Sequence, residues 1–384
     1  MRILFIDVPG SGYGGTKRYL QDMAEYLLRQ GCQVDLVLGQ NRDNHQYVQK
    51  LKAAGVTMHS IDITAKDADY VVSALNQTIS AVAPRIVHLN ASQAGIRGVI
   101  PRVGIHEIGE PKWVCTMHLP PLGLIAADGI DGLHWWAPWR WNWRNDRINR
   151  RFLGRFDRVI SVSETNARVL RRRDWFDNQR LRVIRNGVDT ERYHASDGRD
   201  PSRKPLVIGG CGRPSGQKGF EDLLESFALV LERMHEPYPV LRLAGPGEMD
   251  VELVGLADRL GIREHVEFLG YVDSPEHFYR TVDIFVLPSR YEAFPFALLE
   301  AMASGLPVIA TNVGDVQWIL QDGKEGFVIQ PRDIDRMATL IARFVASKEL
   351  RESMGRSARA GAVSRFRRDI YLRETEKVYA ELVT

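Results

Sequence analysis

Cysteine is scarce. Cys32, Cys115 and Cys211 stand far apart among 384 residues, with neither CxxC nor metal-ligand spacing. That excludes a disulfide scaffold and a cysteine-based metal site, and fits a reducing, cytoplasmic compartment. Charge of one sign is scarce too. The formal net charge is only +3, so a strong basic field is not the working device. No apolar run approaches the length needed to cross a bilayer, so any membrane contact is expected to be peripheral. Met1 leads straight into "RILFID", which reads as a buried strand rather than a charged and then apolar leader. A secretory signal is therefore not expected. Low-complexity tracts are missing, and 44% of the residues are hydrophobic, as in an ordinary globular protein.

What is present is alternation. Short apolar runs at 2–7, 33–39, 57–63, 85–90, 113–118, 158–163 and 181–184 read as strands, separated by segments of helical period. A polar stretch with glycine and two prolines, "HASDGRDPSRKP" (194–205), reads as a linker. The pattern then restarts with strands at 206–210, 240–245, 265–270, 283–288, 307–311 and 326–330. The chain is also long for a single core. Two doubly wound α/β domains are expected, each a parallel sheet covered on both faces, facing a central cleft.

"GSGYGG" (10–15) follows the first strand, and Gly10, Gly12 and Gly15 match GxGxxG. A dinucleotide fold would end its second strand on an acidic residue, but "QVDLVLGQ" ends in Gly-Gln and Asp35 lies inside the strand. A glycine loop at a helix N-terminus still lets backbone N–H groups approach an anion. A flexible turn is the plain alternative.

"SRYEAFPFALLEAMASGLPVIAT" (289–311) is the most specific text in the chain. Glu292 sits in a loop, a helix is expected to begin near Pro295, and Glu300 follows inside it. The loop and helix start can offer N–H groups to an anion. The two carboxylates can accept from sugar and ribose hydroxyls, or can be ordinary solvated and helix-start glutamates.

This E-x7-E segment resembles the retaining glycosyltransferases of family 4, which have the GT-B fold. "GRPSGQKGFEDLLESF" (212–227), "RLAGPGE" (242–248), "VEFLGYV" (266–272), "VISVSE" (159–164) and "IRNGVDTERY" (184–193) extend the resemblance across both halves, in the expected order. It implies an acceptor-side domain over 1–195 joined by the C-terminal helix 368–384, and a nucleotide-sugar domain over 204–367. Arg213 and Lys218 would neutralise the donor diphosphate, as a leaving group requires. Glu300 would accept from the ribose. Glu292, with the segment Ala293, Phe294 and Phe296, would hold the transferred sugar and phosphate. His118, in "CTMHLPP", would contact that sugar near its anomeric carbon. Gly12, Gly14 and Gly15 would let backbone approach the diphosphate and acceptor. Ala293 and Pro295 depart from the family's frequent glycines, and Pro295 has no N–H to donate, which predicts altered donor-sugar contacts.

The implied activity is transfer of a hexosyl group from a UDP- or GDP-linked sugar to a glycan or lipid-linked acceptor, in the assembly of a bacterial surface polysaccharide or glycolipid. No cofactor or metal is expected, since Arg213, Lys218 and backbone amides can carry the phosphate charge. The pairs Asp67/Asp69 and Asp333/Asp335 read as helix starts. A non-catalytic nucleotide-sugar binder and a nicotinamide-dependent oxidoreductase are the alternatives. Nucleic acid is not an expected partner.

One stretch stands apart. "HWWAPWRWNWR" (134–144) holds five of the eight tryptophans, and region 131–158 carries seven arginines against three aspartates. Trp135, Trp136, Trp139, Trp141 and Trp143, with Arg140 and Arg144, predict an acceptor region lying against the anionic cytoplasmic face of a membrane. Stacking on a soluble sugar, or burial in the core, is the competing reading.

Overall fold

The computed structural model describes residues 1–7, 14–39, 45–63, 65–90, 97, 99–104, 110–119, 139–195, 205–245 and 251–384. The chain divides into two compact units, Met1–Arg185 with Tyr371–Thr384, and Asn186–Ile370.

The first unit is built on seven parallel strands. They are β1 (Arg2–Asp7), β2 (Gln33–Leu38), β3 (Thr57–Ser60), β4 (Ile86–Asn90), β5 (Lys112–Met117), β6 (Arg158–Ser161) and β7 (Leu181–Val183). Their order is β3-β2-β1-β4-β5-β6-β7. A parallel sheet covered on both faces needs near-continuous apolar strands. β1 shows why the chain folds this way: Ile3, Leu4, Phe5 and Ile6 are all fully buried. The helix Gly15–Arg29 covers the sheet with Tyr19, Leu20, Met23, Ala24 and Leu27, an i, i+4, i+8 stripe with its neighbours. It stops at Gln30, and Gly31 follows in the left-handed region (φ 74°).

The second unit repeats the plan with β8 (Val207–Cys211), β9 (Val240–Ala244), β10 (Val266–Gly270), β11 (Ile284–Leu287), β12 (Val308–Thr311) and β13 (Gly326–Ile329). All are parallel, in the order β10-β9-β8-β11-β12-β13. In each sheet the winding reverses once, between β1 and β4 and between β8 and β11. In open sheets of this kind, such a reversal is where ligands bind, beyond the carboxyl ends of the strands. Register sets Asp7 beside Asn90 at the first of these points.

The last helix, Arg368–Val383, is tied to the first unit by buried polar contacts. Tyr371 donates to Asp22 (3.0 Å), Thr375 meets the Tyr19 hydroxyl (3.4 Å), and Tyr379 meets His88 Nδ1 (2.5 Å). Residues 186–195 belong to the second unit, where Asn186 donates to the Phe294 carbonyl (2.9 Å) and Val188 bridges to Arg367. Linker residues 196–204 lie outside the described residues. Asp67 and Asp333 cap helices by accepting from backbone N–H groups.

Candidate functional site

In the second unit the site begins where β8 ends. Residues 212–219 form a loop before the helix Phe220–Arg233, and Gly219 takes a left-handed conformation (φ 63°). A side chain there would meet the Pro288 carbonyl at 2.3 Å, so only glycine lets this loop close on the one after β11. Side chains lock the same contact. Arg290 grips Asp222 with two hydrogen bonds (2.7 and 3.2 Å), and its backbone N–H donates to Gln217 (2.7 Å). Gln217 in turn donates to the Tyr291 carbonyl (3.1 Å). Arg290 and Asp222 were not singled out from sequence. No local pattern pairs them, because 68 positions separate them in the chain.

Lys218 reaches across this junction. Its Nζ lies 2.5 Å from Glu292 Oε1, which also accepts from Ser289 Oγ (2.8 Å). The sequence reading assigned Lys218 to phosphate and Glu292 to sugar. The structure joins them in one ion pair, with Glu292 nearly buried and Lys218 partly open. Arg213 stands in the same loop, close enough to Tyr291 for its charge to ease that phenol's ionisation. Burial and the Glu292 charge push the phenol the other way.

The helix Phe296–Ala303 follows, with Pro295 in extended conformation at its N-cap. Helical backbone thus begins one residue past the proline, and Phe296 carries the first helical N–H, which has no intrahelical acceptor. Ala293 and Phe294 are buried, and the loop after β12 packs on their backbone: Asp315 N–H donates to the Ala293 carbonyl (3.1 Å). Inside the helix Glu300 Oε2 accepts from the buried hydroxyl of Tyr279 (3.0 Å). Burial, then Glu300, pushes the neighbouring Cys211 thiol up to about 12, so Cys211 is an inert neutral neighbour.

The first unit brings other residues together at its own crossover. His118 follows β5 and is buried, with Nε2 bonded to Asn90 Oδ1 (2.6 Å). Asn90 ends β4 and donates to Asp7 Oδ1 (3.2 Å) and to the Thr16 carbonyl (3.0 Å). Burial drives the His118 ring down to about 3 and the Asp7 carboxyl up to about 7. Gly14 is the N-cap of the helix that Gly15 opens, and a side chain at Gly14 would meet open space. Gly12 lies outside the described residues, as do Trp135 and Trp136. Trp139, Arg140, Trp141, Trp143 and Arg144 belong by backbone to the helix Trp139–Leu153; their side chains lie outside the described residues. Asp35, inside β2, is engaged by Arg2 (2.8 Å) and His59 (2.8 Å).

Comparison with known proteins meets this geometry at both units. Residues 13–192 match the family model for Glycosyltransferase Family 4, and residues 195–361 match that for Glycosyl transferases group 1. The chain carries the paired domains of a family 4 and group 1 glycosyltransferase. Its fold is GT-B, with likeness over almost its whole length to HepE of Anabaena, solved with UDP-glucose. That match has a TM-score of 0.79 and 20% identity, and covers 99% of this chain and 100% of HepE. Sucrose-phosphate synthase of Thermosynechococcus elongatus gives a TM-score of 0.79 and 20% identity, over 99% of this chain and 98% of that one. At such identity the likeness carries the fold alone. Among curated relatives, the lipopolysaccharide core biosynthesis glycosyltransferase LpsE of Rhizobium meliloti is 33% identical over 192 residues. That alignment covers 49% of this chain and 54% of LpsE. The chain thus spans about half the length of the curated relatives it matches.

Proposed function

We propose that this glycosyltransferase retains anomeric configuration and moves a hexosyl group from a UDP- or GDP-linked sugar to a hydroxyl of a glycan or lipid-linked acceptor. The observation that carries the reading is the constellation at the β8/β11 crossover. Lys218, Glu292 and Ser289 form one hydrogen-bonded group, and Glu300 accepts from Tyr279. A cation and a helix start face the diphosphate, one carboxylate meets the sugar, and the other meets the ribose.

In the proposed reaction the acceptor oxygen bonds to the anomeric carbon on the face from which the phosphate departs. The carbon–phosphate oxygen bond breaks, and the acceptor's proton passes to the departing phosphate. Arg213, Lys218 and the amides of Phe294 and Phe296 stabilise the leaving charge, a task that pre-aimed donors perform without reorganising. Positioning supplies the rest. Gly12, Gly14 and Gly15 give backbone access beside the diphosphate, and His118 contacts a hydroxyl of the transferred sugar. No metal takes part. Lys218 is released from Glu292 to the phosphate as donor enters, leaving Glu292 free to accept from the sugar. The biosynthetic setting is surface polysaccharide or glycolipid, as for LpsE and for the capsular polysaccharide glycosyltransferase CapM of Staphylococcus aureus. The Trp135–Arg144 stretch works at the cytoplasmic face of a membrane.

A thermal-shift and hydrolysis screen of nucleotide sugars tests this. One UDP- or GDP-linked sugar should raise the melting temperature by about 2–5 °C at saturating concentration and be slowly hydrolysed without acceptor. Stabilisation by a nicotinamide dinucleotide, with none by any nucleoside diphosphate, would favour the oxidoreductase instead.

A further inference from the structure

His118 is held in a way that the family resemblance did not specify, and the holding group can be traced atom by atom. Asn90 Nδ2 has two hydrogens and two acceptors, Asp7 Oδ1 at 3.2 Å and the Thr16 carbonyl at 3.0 Å. Turning the amide over would set its oxygen against the Thr16 carbonyl, which can only accept, and lose that bond. Asn90 Oδ1 must therefore face His118, and it can only accept. The ring nitrogen 2.6 Å away, Nε2, must then be the one that carries hydrogen. In a neutral imidazole this leaves Nδ1 as a bare lone pair.

We propose that Asn90 is a positioning residue that locks His118 in the Nε2–H tautomer, so that Nδ1 accepts a hydrogen bond from a hydroxyl of the transferred sugar, and that Asp7 and the Thr16 carbonyl orient Asn90 for this task. The proposal rests on the reading of His118 as a sugar contact. Three observations converge on it. Asp7 and Asn90 end the two strands at which the sheet reverses, and are direct register partners there. Asn90 is 1% exposed, so its amide cannot exchange these partners for solvent. Among the described residues, buried Asp7 Oδ2 has no hydrogen-bond partner, a cost that a purely structural carboxylate need not bear.

The surroundings keep the ring neutral. Tyr19 packs edge-on against it at 5.0 Å between centroids, and His88 lies beyond Tyr19. Asp7 reaches the ring only through Asn90, and the Lys17 charge acts on Asp7. Among the described residues no carboxylate bonds the imidazole directly, so a proton on both nitrogens is disfavoured. Sugar contact through a lone pair selects a hydroxyl donor, and the contact is lost once that nitrogen is protonated.

The test reads the tautomer directly, by long-range nitrogen–proton spectra of histidine-labelled protein, with His118→Gln to assign the ring. Wild type should show one Nε2–H tautomer, unchanged from about pH 8 to about pH 5. Asn90→Ala should give mixed tautomers and lower donor hydrolysis at least about tenfold, while affinities for UDP and GDP stay within about twofold. Asn90→Asp is nearly isosteric and sets a carboxylate against Nε2–H, with Asp7 keeping its proton. It should raise the ring's pKa by at least about 2 units, making turnover fall with acid and return toward wild type in alkali. An Nδ1–H tautomer in the wild type, or an unaltered tautomer in Asn90→Ala, would overturn the positioning role. Full donor turnover in His118→Gln, with the Nε2–H tautomer as expected in wild type, would instead overturn the sugar contact beneath it.

Discussion

Lys218 and Glu292 stand 74 positions apart in the chain and 2.5 Å apart in space. Two loops must close on one another for this to happen, and Gly219 and the Arg290–Asp222 fork make them do so. The pair gives each charge a partner. Glu292 is only 8% exposed through its side chain, so without Lys218 its charge would be poorly solvated. In the proposed function the donor diphosphate takes the place of Glu292 at Lys218, and a sugar hydroxyl takes the place of Lys218 at Glu292.

The first prediction follows from that exchange. Lys218→Ala and Glu292→Gln should each lower donor turnover at least about tenfold, and the double change should cost less than the product of the two. Lys218→Ala should also lower unfolding free energy by about 1–3 kcal/mol, because it strands a nearly buried carboxylate. Arg213→Ala should lower turnover comparably with little loss of stability. Hydrolysis rates and urea titrations measure all of these. Unchanged turnover in both Lys218→Ala and Arg213→Ala would put the phosphate site elsewhere.

A second prediction separates the two glutamates. Glu300→Gln should weaken UDP or GDP binding and donor binding alike, by about fivefold to tenfold, through the ribose. Glu292→Gln should depress turnover and sugar discrimination while sparing nucleoside diphosphate affinity. Tyr279→Phe removes the phenol hydrogen bond to Glu300 and should produce a weaker copy of the Glu300 effect, about twofold to fivefold in affinity. Calorimetry with UDP and GDP decides; equal loss of affinity in Glu292→Gln and Glu300→Gln would end the division.

The strands were readable because each is a short apolar run with burial on both faces, as at Ile284–Leu287, and the helices because their apolar residues recur at helical spacing. Glu292, Glu300, Arg213 and Lys218 were readable as local text around two loops. Their pairing was not, because Lys218–Glu292 and Arg290–Asp222 are made by loop closure over long separations. Asn90 was hidden for another reason. It ends an ordinary strand, and its meaning comes from neighbours on two other strands, Asp7 and the stretch leading to His118. Composition marks a polar linker at 194–205, but it gives no sign of the hydrogen bond from Asn186 to Phe294 that holds the preceding turn in the second unit.

A third prediction concerns pH. Burial lowers His88 and His118 to about 3, from 6.5. Between those values the unfolded chain holds protons that the folded rings refuse, so stability falls as pH drops through the window. Asp7 acts oppositely: raised from 3.8 to about 7, it keeps in the fold a proton that the unfolded chain releases. Two rings against one carboxyl leave about one net proton, or a loss of roughly 1 kcal/mol per pH unit from about 6.5 to about 4. His118→Gln should flatten this slope and Asp7→Asn should steepen it. Urea titrations across the window report the slopes, and identical slopes in all three proteins would refute the assignment.

The fourth prediction is that donor hydrolysis persists in excess chelator. Among the described residues no group of three or more His, Cys, Asp or Glu side chains gathers as metal ligands, and Asp67 and Asp333 are occupied as helix caps. Abolished turnover that returns with magnesium or manganese would show that the diphosphate needs a cation besides Arg213 and Lys218.

The last prediction concerns the tryptophan-rich stretch. Among the described residues no helix is long and apolar enough to cross a membrane, and the proposed contact is interfacial. Trp135, Trp136, Trp139, Trp141 and Trp143 have the chemistry of that interface, where an indole ring sits among headgroups and its N–H stays hydrated. Arg140 and Arg144 add attraction to anionic lipid, about 1 kcal/mol each near the surface. Changing both arginines to glutamine should therefore weaken binding to vesicles of phosphatidylglycerol and phosphatidylcholine, most of all at low salt, because ions screen the attraction over about 10 Å at 0.1 M. Serine at Trp139 and Trp143 should weaken binding at every salt concentration, since burial of rings is not screened. Donor hydrolysis in solution should stay within about twofold, because these changes leave Lys218, Glu292 and Glu300 in place. Co-sedimentation across a salt series is the deciding measurement. If wild type and the arginine pair variant sediment equally at every salt concentration, the arginines have no membrane role, and stacking on a sugar acceptor becomes the better account of the stretch.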